Sequence, residues 1–391
     1  MVTSTTLAEF APETLAPGKY AYRLLLTGGG AGSRSAEIGG DDDDTVRGRA
    51  GGDAVSDDPS DNAGRGEQTG QAGHAGSASG ERGEGNGYVP VHVVRGVQDG
   101  PCLLVLAAVH GDEYEGVQTV IELSAAVQPK ELCGTLLLVP VANVDAYRSG
   151  TRCSAADGGN LARAFPGSPD GSYTERLAWH LQQALIRRCD FLLDLHSAGT
   201  HYAMPLMTGF DAREGADSAV RSRDAALCFG VPVAWAHDTV SPGRTVSMAS
   251  ELGIPWIYVE GFGGRRIRKD EQRLYTEGAW RLMAHLGMLA APELRLAGEP
   301  QPVELILTGD GNLDGADLAA CDGFFVPAAD LLDELREGDL VGTIVDWRGA
   351  VLQTVRADGS GVVMLLRQTP VVSRGDALYT LARKEGTDDV D

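Results

Sequence analysis

Three short stretches carry residues that could do chemistry together. The first is His110-Gly111-Asp112-Glu113, directly after the apolar run 103–109. His110 and Glu113 are separated by two residues, so one turn can aim both side chains at a single point. A neutral imidazole and a carboxylate together suit a divalent zinc ion. The second stretch is Asp194-Leu195-His196-Ser197, at the end of the run 191–195. Asp194 and His196 are two apart on a strand and share a face. Zinc on two histidines and a glutamate keeps a fourth position open for water, which marks a catalytic site. The third is Tyr258-Val259-Glu260-Gly261-Phe262-Gly263-Gly264, where Glu260 ends an apolar strand ahead of a Gly-rich segment. A carboxylate there can take a proton from water and deliver it to a leaving amine. Taken singly, an HxxE or a DxH is more often structural. On pattern alone, a strand-end ion pair accounts for Glu260 equally well.

All three stretches fall where an open α/β sheet puts its ligands, just past the C-terminal ends of strands. Residues 103–109, 135–141, 191–195, 231–236 and 254–259 read as buried strands. Their apolar runs are continuous, as expected for strands covered on both faces. Between them lie helical patterns. One has Val117, Val120, Ile121 and Ser124 on one face. Another follows a capping box made by Ser172 and Glu175 and carries Leu177, Leu181, Ala184 and Leu185. Strands alternating with helices predict an α/β fold with a mostly parallel sheet. Ahead of it, residues 20–26 and 88–94 read as the two strands of a hairpin. The Gly-, Ser- and Asp-rich stretch 28–87 between them holds almost no large apolar residue, and is expected to be a low-complexity, acidic, disordered insertion. The expected division is a hydrolase domain over 1–290 and a small β-rich domain over 291–391. The latter has short apolar runs separated by Gly-Asp turns and resembles a lipoyl-like barrel. Its candidate hairpin tip, Asp346-Trp347-Arg348-Gly349, has no lysine to carry a prosthetic group.

Composition narrows the function. The chain has 391 residues, 33 Lys and Arg against 55 Asp and Glu, and a net charge of -22. That balance speaks against nucleic-acid binding, which needs clustered cations. No apolar stretch approaches the roughly 20 residues of a membrane span, and the first residues do not read as a secretory signal. The six cysteines are scattered without a CxxC pair, as in a reduced, cytoplasmic protein. Lys19, Lys130, Lys269 and Lys384 are the only lysines, and an acidic, Lys-poor surface suggests a halophilic host.

Four ordered motifs carry a resemblance. They are His110-Gly111-Asp112-Glu113-Tyr114-Glu115-Gly116, the run from Asp157-Gly158-Gly159-Asn160-Leu161-Ala162-Arg163 to Gly167, Asp194-Leu195-His196-Ser197, and Val259-Glu260-Gly261. From about residue 88 onward the chain resembles the succinylglutamate desuccinylase/aspartoacylase branch of the zinc carboxypeptidase-like (M14-like) hydrolases. The resemblance implies a three-layer α/β/α domain followed by a barrel-sandwich β domain. It implies one zinc per chain on His110, Glu113 and His196, with Glu260 as base and acid. Arg152 would polarise the scissile carbonyl. Arg163, with Asn160, would bind the substrate, Arg163 as the clamp for a carboxylate. The activity implied is deacylation of a small N-acyl amino acid or N-acyl amine. A zinc carboxypeptidase or esterase is the alternative enzyme, and a binding protein on a hydrolase fold the non-enzymatic one. The expected partner is a small molecule, with no nucleic acid or membrane; a homo-oligomer is compatible. One position departs from the pattern. Ala162 stands where many relatives have a second Asn, so a side-chain hydrogen bond that helps to grip a carboxylate is missing. Of the remaining histidines, His74 lies in the insertion, and His92, His180 and His285 read as surface or packing residues. His201 and His237 lie near strand ends, where either could line a pocket. The mechanism does not need Cys153.

Overall fold

The computed structural model describes residues 2–26, 87–296, 298–309, 311 and 315–386. The stretch expected to be a disordered insertion, 28–87, lies outside the described residues apart from Gly87. The first eleven strands are β1 (Val2–Thr5), β2 (Gly18–Leu25), β3 (Tyr88–Arg95), β4 (Gln98–Ala107), β5 (Cys133–Val139), β6 (Phe191–Leu195), β7 (Tyr202–Ala203), β8 (Met207–Asp211), β9 (Val233–His237), β10 (Trp256–Glu260) and β11 (Leu305–Thr308). The helices are α1 (Glu115–Ala126), α2 (Val144–Ser149), α3 (Tyr173–Ala184), α4 (Asp217–Phe229), α5 (Thr245–Glu251) and α6 (Lys269–His285).

The main sheet runs β1-β2-β3-β5-β4-β6-β10-β8-β9-β11. Its centre, β5-β4-β6-β10, is parallel, and β2 and β3 pair antiparallel as the expected hairpin strands. Side chains alternate across β4. Leu103 and Val105 pack with α1, α4 and α6 on one face, Leu104 and Leu106 with α3 and α5 on the other. All four are fully buried, which is why this run reads as continuously apolar. β8 breaks the pattern by running antiparallel to β10. Its sequence, Met207-Thr208-Gly209-Phe210-Asp211, has too little apolar continuity to announce a buried strand.

Helix α1 turns out rotated from its expected orientation. Val117 and Val120 are buried, but Ile121 is 52% exposed, and Leu123 takes the inner position. The inner stripe is Gly116, Thr119, Val120 and Leu123. A Cβ on Gly116 would lie 2.6 Å from the Leu195 Cβ, so the helix approaches the sheet through a residue with no apolar signal. Helix α3 starts as its capping box predicts. Glu175 N–H donates to Ser172 Oγ at 3.4 Å, and Ser172 N–H donates to Glu175 Oε2 at 2.7 Å. Replacing Ser172 by Ala is expected to cost about 1 kcal/mol of stability. Urea unfolding of Ser172→Ala checks this, and an unchanged midpoint would contradict it.

The C-terminal region is strand-rich. Its strands are β12 (Asp317–Leu318), β13 (Gly323–Pro327), β14 (Glu334–Leu335), β15 (Leu340–Val345), β16 (Val351–Arg356), β17 (Gly361–Arg367), β18 (Val371–Val372) and β19 (Ala377–Lys384). Strands β16-β15-β13-β18 form a separate antiparallel sheet. β19 instead pairs with β11 and β17 with β7, which ties the region to the main sheet near the strand ends. Among the described residues, no helix is long and apolar enough to cross a membrane.

Candidate active site

Three adjacent strand ends build the site. Past β4 the chain turns at Ala108, which takes a left-handed conformation with φ 50°. Ala108 also accepts a hydrogen bond from Asn143 N–H at 3.0 Å, and Gly111 N–H donates to the Thr151 carbonyl at 3.0 Å. A Cβ on Gly111 would sit 2.0 Å from the Ala146 carbonyl carbon, so only glycine lets this turn press against α2. The turn delivers His110 and Glu113. At the end of β6, His196 N–H donates to the Val259 carbonyl at 2.8 Å, and the Tyr275 hydroxyl donates to the His196 carbonyl at 2.6 Å. His196 is therefore fixed from both sides.

His110, Glu113 and His196 converge, one ligand atom from each lying within 4.8 Å of the others. The His110 Nδ1 is 2.7 Å from Glu113 Oε1, and the His196 Nδ1 is 3.0 Å from Glu113 Oε2. Glu113 is only 2% exposed. Burial works against its charge, yet His110 and His196 hold its carboxyl well below the ordinary range. Burial, reinforced by the Arg152 charge, pushes His110 down to about 4, so its ring is neutral and able to ligate. Burial also opposes a charge on His196, but Asp194 and Glu113 outweigh it and hold the imidazole well above its usual value. Asp194 Oδ2 lies 3.1 Å from His196 Nε2 and also accepts from the Thr245 hydroxyl. A carboxylate behind a histidine in this way orients the ring toward a metal. Two imidazole nitrogens and a carboxylate, all buried and aimed at one point, fit a divalent ion of the zinc type, whose charge would take the place of the proton held on His196.

Glu260 ends β10 beside this group. Its Oε2 is buried and has no hydrogen-bond partner, and burial pushes the carboxyl up to about 8. A buried polar atom left unpaired in this way points to a ligand or a proton-transfer role. The Arg152 Nη1 reaches within 3.4 Å of Glu113 Oε1 and 3.3 Å of His110 Nδ1. Arg163 lies on the single turn Leu161–Arg163, and its Nη1 donates to the Ala162 carbonyl at 2.8 Å.

Arg152, Arg163, Glu260, His110 and His196 all line one cavity of about 90 Å³. Asn160 does not. Its Oδ1 accepts from Ala162 N–H at 3.0 Å, so it shapes the turn that carries Arg163. His237 lines the cavity, whereas His201 sits apart, 3.0 Å from the Thr369 hydroxyl. The wall also holds Arg244, Trp235, Trp256 and Tyr258, which sequence reasoning did not select. For two of them a signal existed. Trp256 and Tyr258 alternate with Glu260 along β10 and so share its face.

The catalytic-domain model of the succinylglutamate desuccinylase/aspartoacylase family matches residues 99–286. Over 304 residues the chain is 30% identical to the N-alpha-acetyl-L-2,4-diaminobutyric acid deacetylase of Halomonas elongata, which spans 75% of this chain and 85% of that protein. The chain belongs to the succinylglutamate desuccinylase/aspartoacylase family. Solved structures agree with this membership. A succinylglutamate desuccinylase from a Silicibacter species superposes with a TM-score of 0.69 at 27% identity, covering 77% of this chain and 90% of that one. The ectoine utilization protein EutE (DoeB) of Ruegeria pomeroyi, in a product-bound structure, gives 0.68 at 27% identity, covering 76% and 90%. The family's named relatives are deacetylases and desuccinylases, and this member shares their fold.

Proposed function

We propose that this protein is a zinc-dependent hydrolase that removes the acyl group from a small N-acyl amino acid or N-acyl amine. One ion per chain would be held by His110, Glu113 and His196. The reading rests on one observation above all. Three buried metal donors converge beside the unpaired carboxylate oxygen of Glu260, and two of them, His110 and His196, open with Glu260 onto one cavity. Zinc, when bound, would supply a Lewis acid for the acyl carbonyl and make a water more acidic.

The chain's own residues account for the remaining steps. Glu260 takes a proton from the attacking water at Oε2 and returns it to the leaving nitrogen. A carboxyl whose affinity for protons is raised by burial suits both halves of that task. Arg152 donates to the carbonyl oxygen as negative charge develops there. Arg163 pairs with a carboxylate of the substrate through its fork of donors, and Asn160 takes part in substrate binding by setting that turn. Ala162 lines the cavity with a methyl group, so this wall recognises a carboxylate through arginine alone at that turn.

Replacing Arg152 by Met is expected to lower kcat by roughly 10²–10³-fold, with a smaller change in KM, because the lost donor acts on charge that forms in the transition state. Steady-state kinetics on the preferred substrate check this. An unchanged kcat would remove Arg152 from the mechanism. The substrate class is tested with a panel of N-acetyl and N-succinyl amino acids beside matched esters and dipeptides. Amine release from the N-acyl compounds supports the proposal. Cleavage of the esters or dipeptides alone would overturn it in favour of an esterase or carboxypeptidase.

A further inference from the structure

The four-stranded sheet β16-β15-β13-β18 has two unlike faces. The inner one packs Phe325, Val341, Ile344, Val355 and Val372 into a core of its own. The outer face of such a sheet ordinarily meets water and carries polar residues. Here one row of that face is apolar across all four strands. Val371 stands opposite Phe324, Phe324 opposite Val345, and Val345 opposite Val351. Val326 follows Phe324 on the same side of β13. Val371 is 72% exposed and Val351 60%. Two residues beyond Val345, the hairpin between β15 and β16 carries Trp347, which is 88% exposed.

The hairpin tip holds Trp347 in place. Asp346 Oδ1 accepts from the Arg348 and Ala350 N–H groups at 2.8 Å each, and the Gly349 N–H donates to the Asp346 carbonyl at 2.9 Å. The Arg348 guanidinium lies 4.9 Å from the indole centroid. A tip fixed in this way loses little freedom on docking. Beside it lies a hollow of about 700 Å³ lined by Phe324, Val345, Leu352 and Val371. Knob and hole thus stand side by side on one face, an arrangement that a two-fold axis makes self-complementary.

Charge and area fit a second copy of the chain. The net charge is -22, so a partner recruited by charge would be basic. This face is instead balanced. Asp322 and Asp346 rim the hollow, Arg348 lies 3.4 Å from Asp346, and Arg374 N–H donates to Asp322 Oδ1 at 2.8 Å. Two copies can therefore meet here without the repulsion that the rest of the surface imposes. Trp347, Phe324, Val326, Val351, Leu352 and Val371 together expose roughly 600 Å². Two copies face to face would hide about twice that, the ~1,200 Å² at which stable interfaces begin. The stretch 28–87 holds almost no large apolar residue and could not supply the complement.

We propose that this sheet face is the interface of a two-fold homodimer, in which Trp347 of each copy enters the hollow of the other. The hollow shares no lining residue with the catalytic cavity, so the interface is independent of the deacylase reading. Apolar burial drives the association, and the remaining negative charge of each chain opposes it. Salt should therefore tighten the dimer, since at about 1 M the screening length falls to about 3 Å.

Sedimentation equilibrium of the full chain, in low and high potassium chloride, tests this. Wild type is expected to sediment at twice the chain mass, with a Kd that falls as salt rises. Trp347→Asp and Val371→Asp should each raise Kd by roughly thirtyfold or more, the loss of a central anchor. Both residues are exposed, so the melting curves of the variants should match wild type. Hydrogen exchange on wild type, above and below its Kd, gives a second readout: amides of β13, β18 and the 345–352 hairpin should be slowed in the dimer. A chain that stays monomeric at every salt overturns the proposal, whatever other partner the face then meets. So does a dimer that both variants leave intact, or one whose protected amides lie elsewhere. Should the variants fail to fold, mass and exchange on wild type decide.

Discussion

Glu260→Gln is expected to lose roughly 10²–10⁴-fold in kcat, the span of a positioned general acid–base group, while keeping its fold and its metal. The amide matches the carboxylate in size, so packing at the end of β10 is preserved. It cannot take a proton at Oε2, the atom that stands unpaired in the structure. The pH profile adds a second signature. Glu260 must be ionised to act as base, so kcat/KM should fall as pH drops through its pKa. Burial pushes that value toward about 8, and the positive charge of a bound cation pulls it back toward the ordinary carboxylate range. The acidic limb should therefore lie above about 4.5 in wild type and be absent in Glu260→Gln. A variant with near-normal kcat, or one that retains the limb, would assign the base elsewhere.

Glu113→Gln is expected to act at an earlier step, by abolishing metal binding. The Glu113 carboxylate sits at the meeting point of the site: both histidine Nδ1 atoms, the Ser197 N–H and Arg152 all address its two oxygens. An amide keeps one acceptor and replaces the other by a donor, which cannot ligate a cation. Elemental analysis after purification in zinc should find none in the variant, and activity should fall to the uncatalysed background. Chelation of wild type should mimic it. A Glu113→Gln protein that still carries one equivalent of metal would show that the ion sits elsewhere. The two variants separate the roles cleanly, since one loses turnover with metal retained and the other loses both.

Much of this site is legible before any coordinates, for a physical reason. β4, β6 and β10 are buried on both faces, so each reads as an apolar run, and a polar residue at its C-terminal end stands out. His110, His196 and Glu260 are visible in that way. What the pattern hides is whatever depends on neighbours far away in sequence. Tyr258 looks like an ordinary strand residue until Gly209 and His237 are beside it. The rotation of α1 is hidden because Gly116 and Thr119, not apolar side chains, permit its close approach to the sheet. Asn160 occupies the family motif, but its role as a turn cap depends on where its Oδ1 points. β8 lacks apolar continuity, and its antiparallel pairing with β10 leaves no mark on its own apolar pattern.

The most direct test of the account is a zinc titration of chelator-treated wild type, read out by hydrolysis of an N-acyl amino acid. The account predicts no activity without metal, a linear rise, and a break at one equivalent of zinc per chain. Full activity in metal-free protein, or no saturable gain on adding zinc, would contradict it.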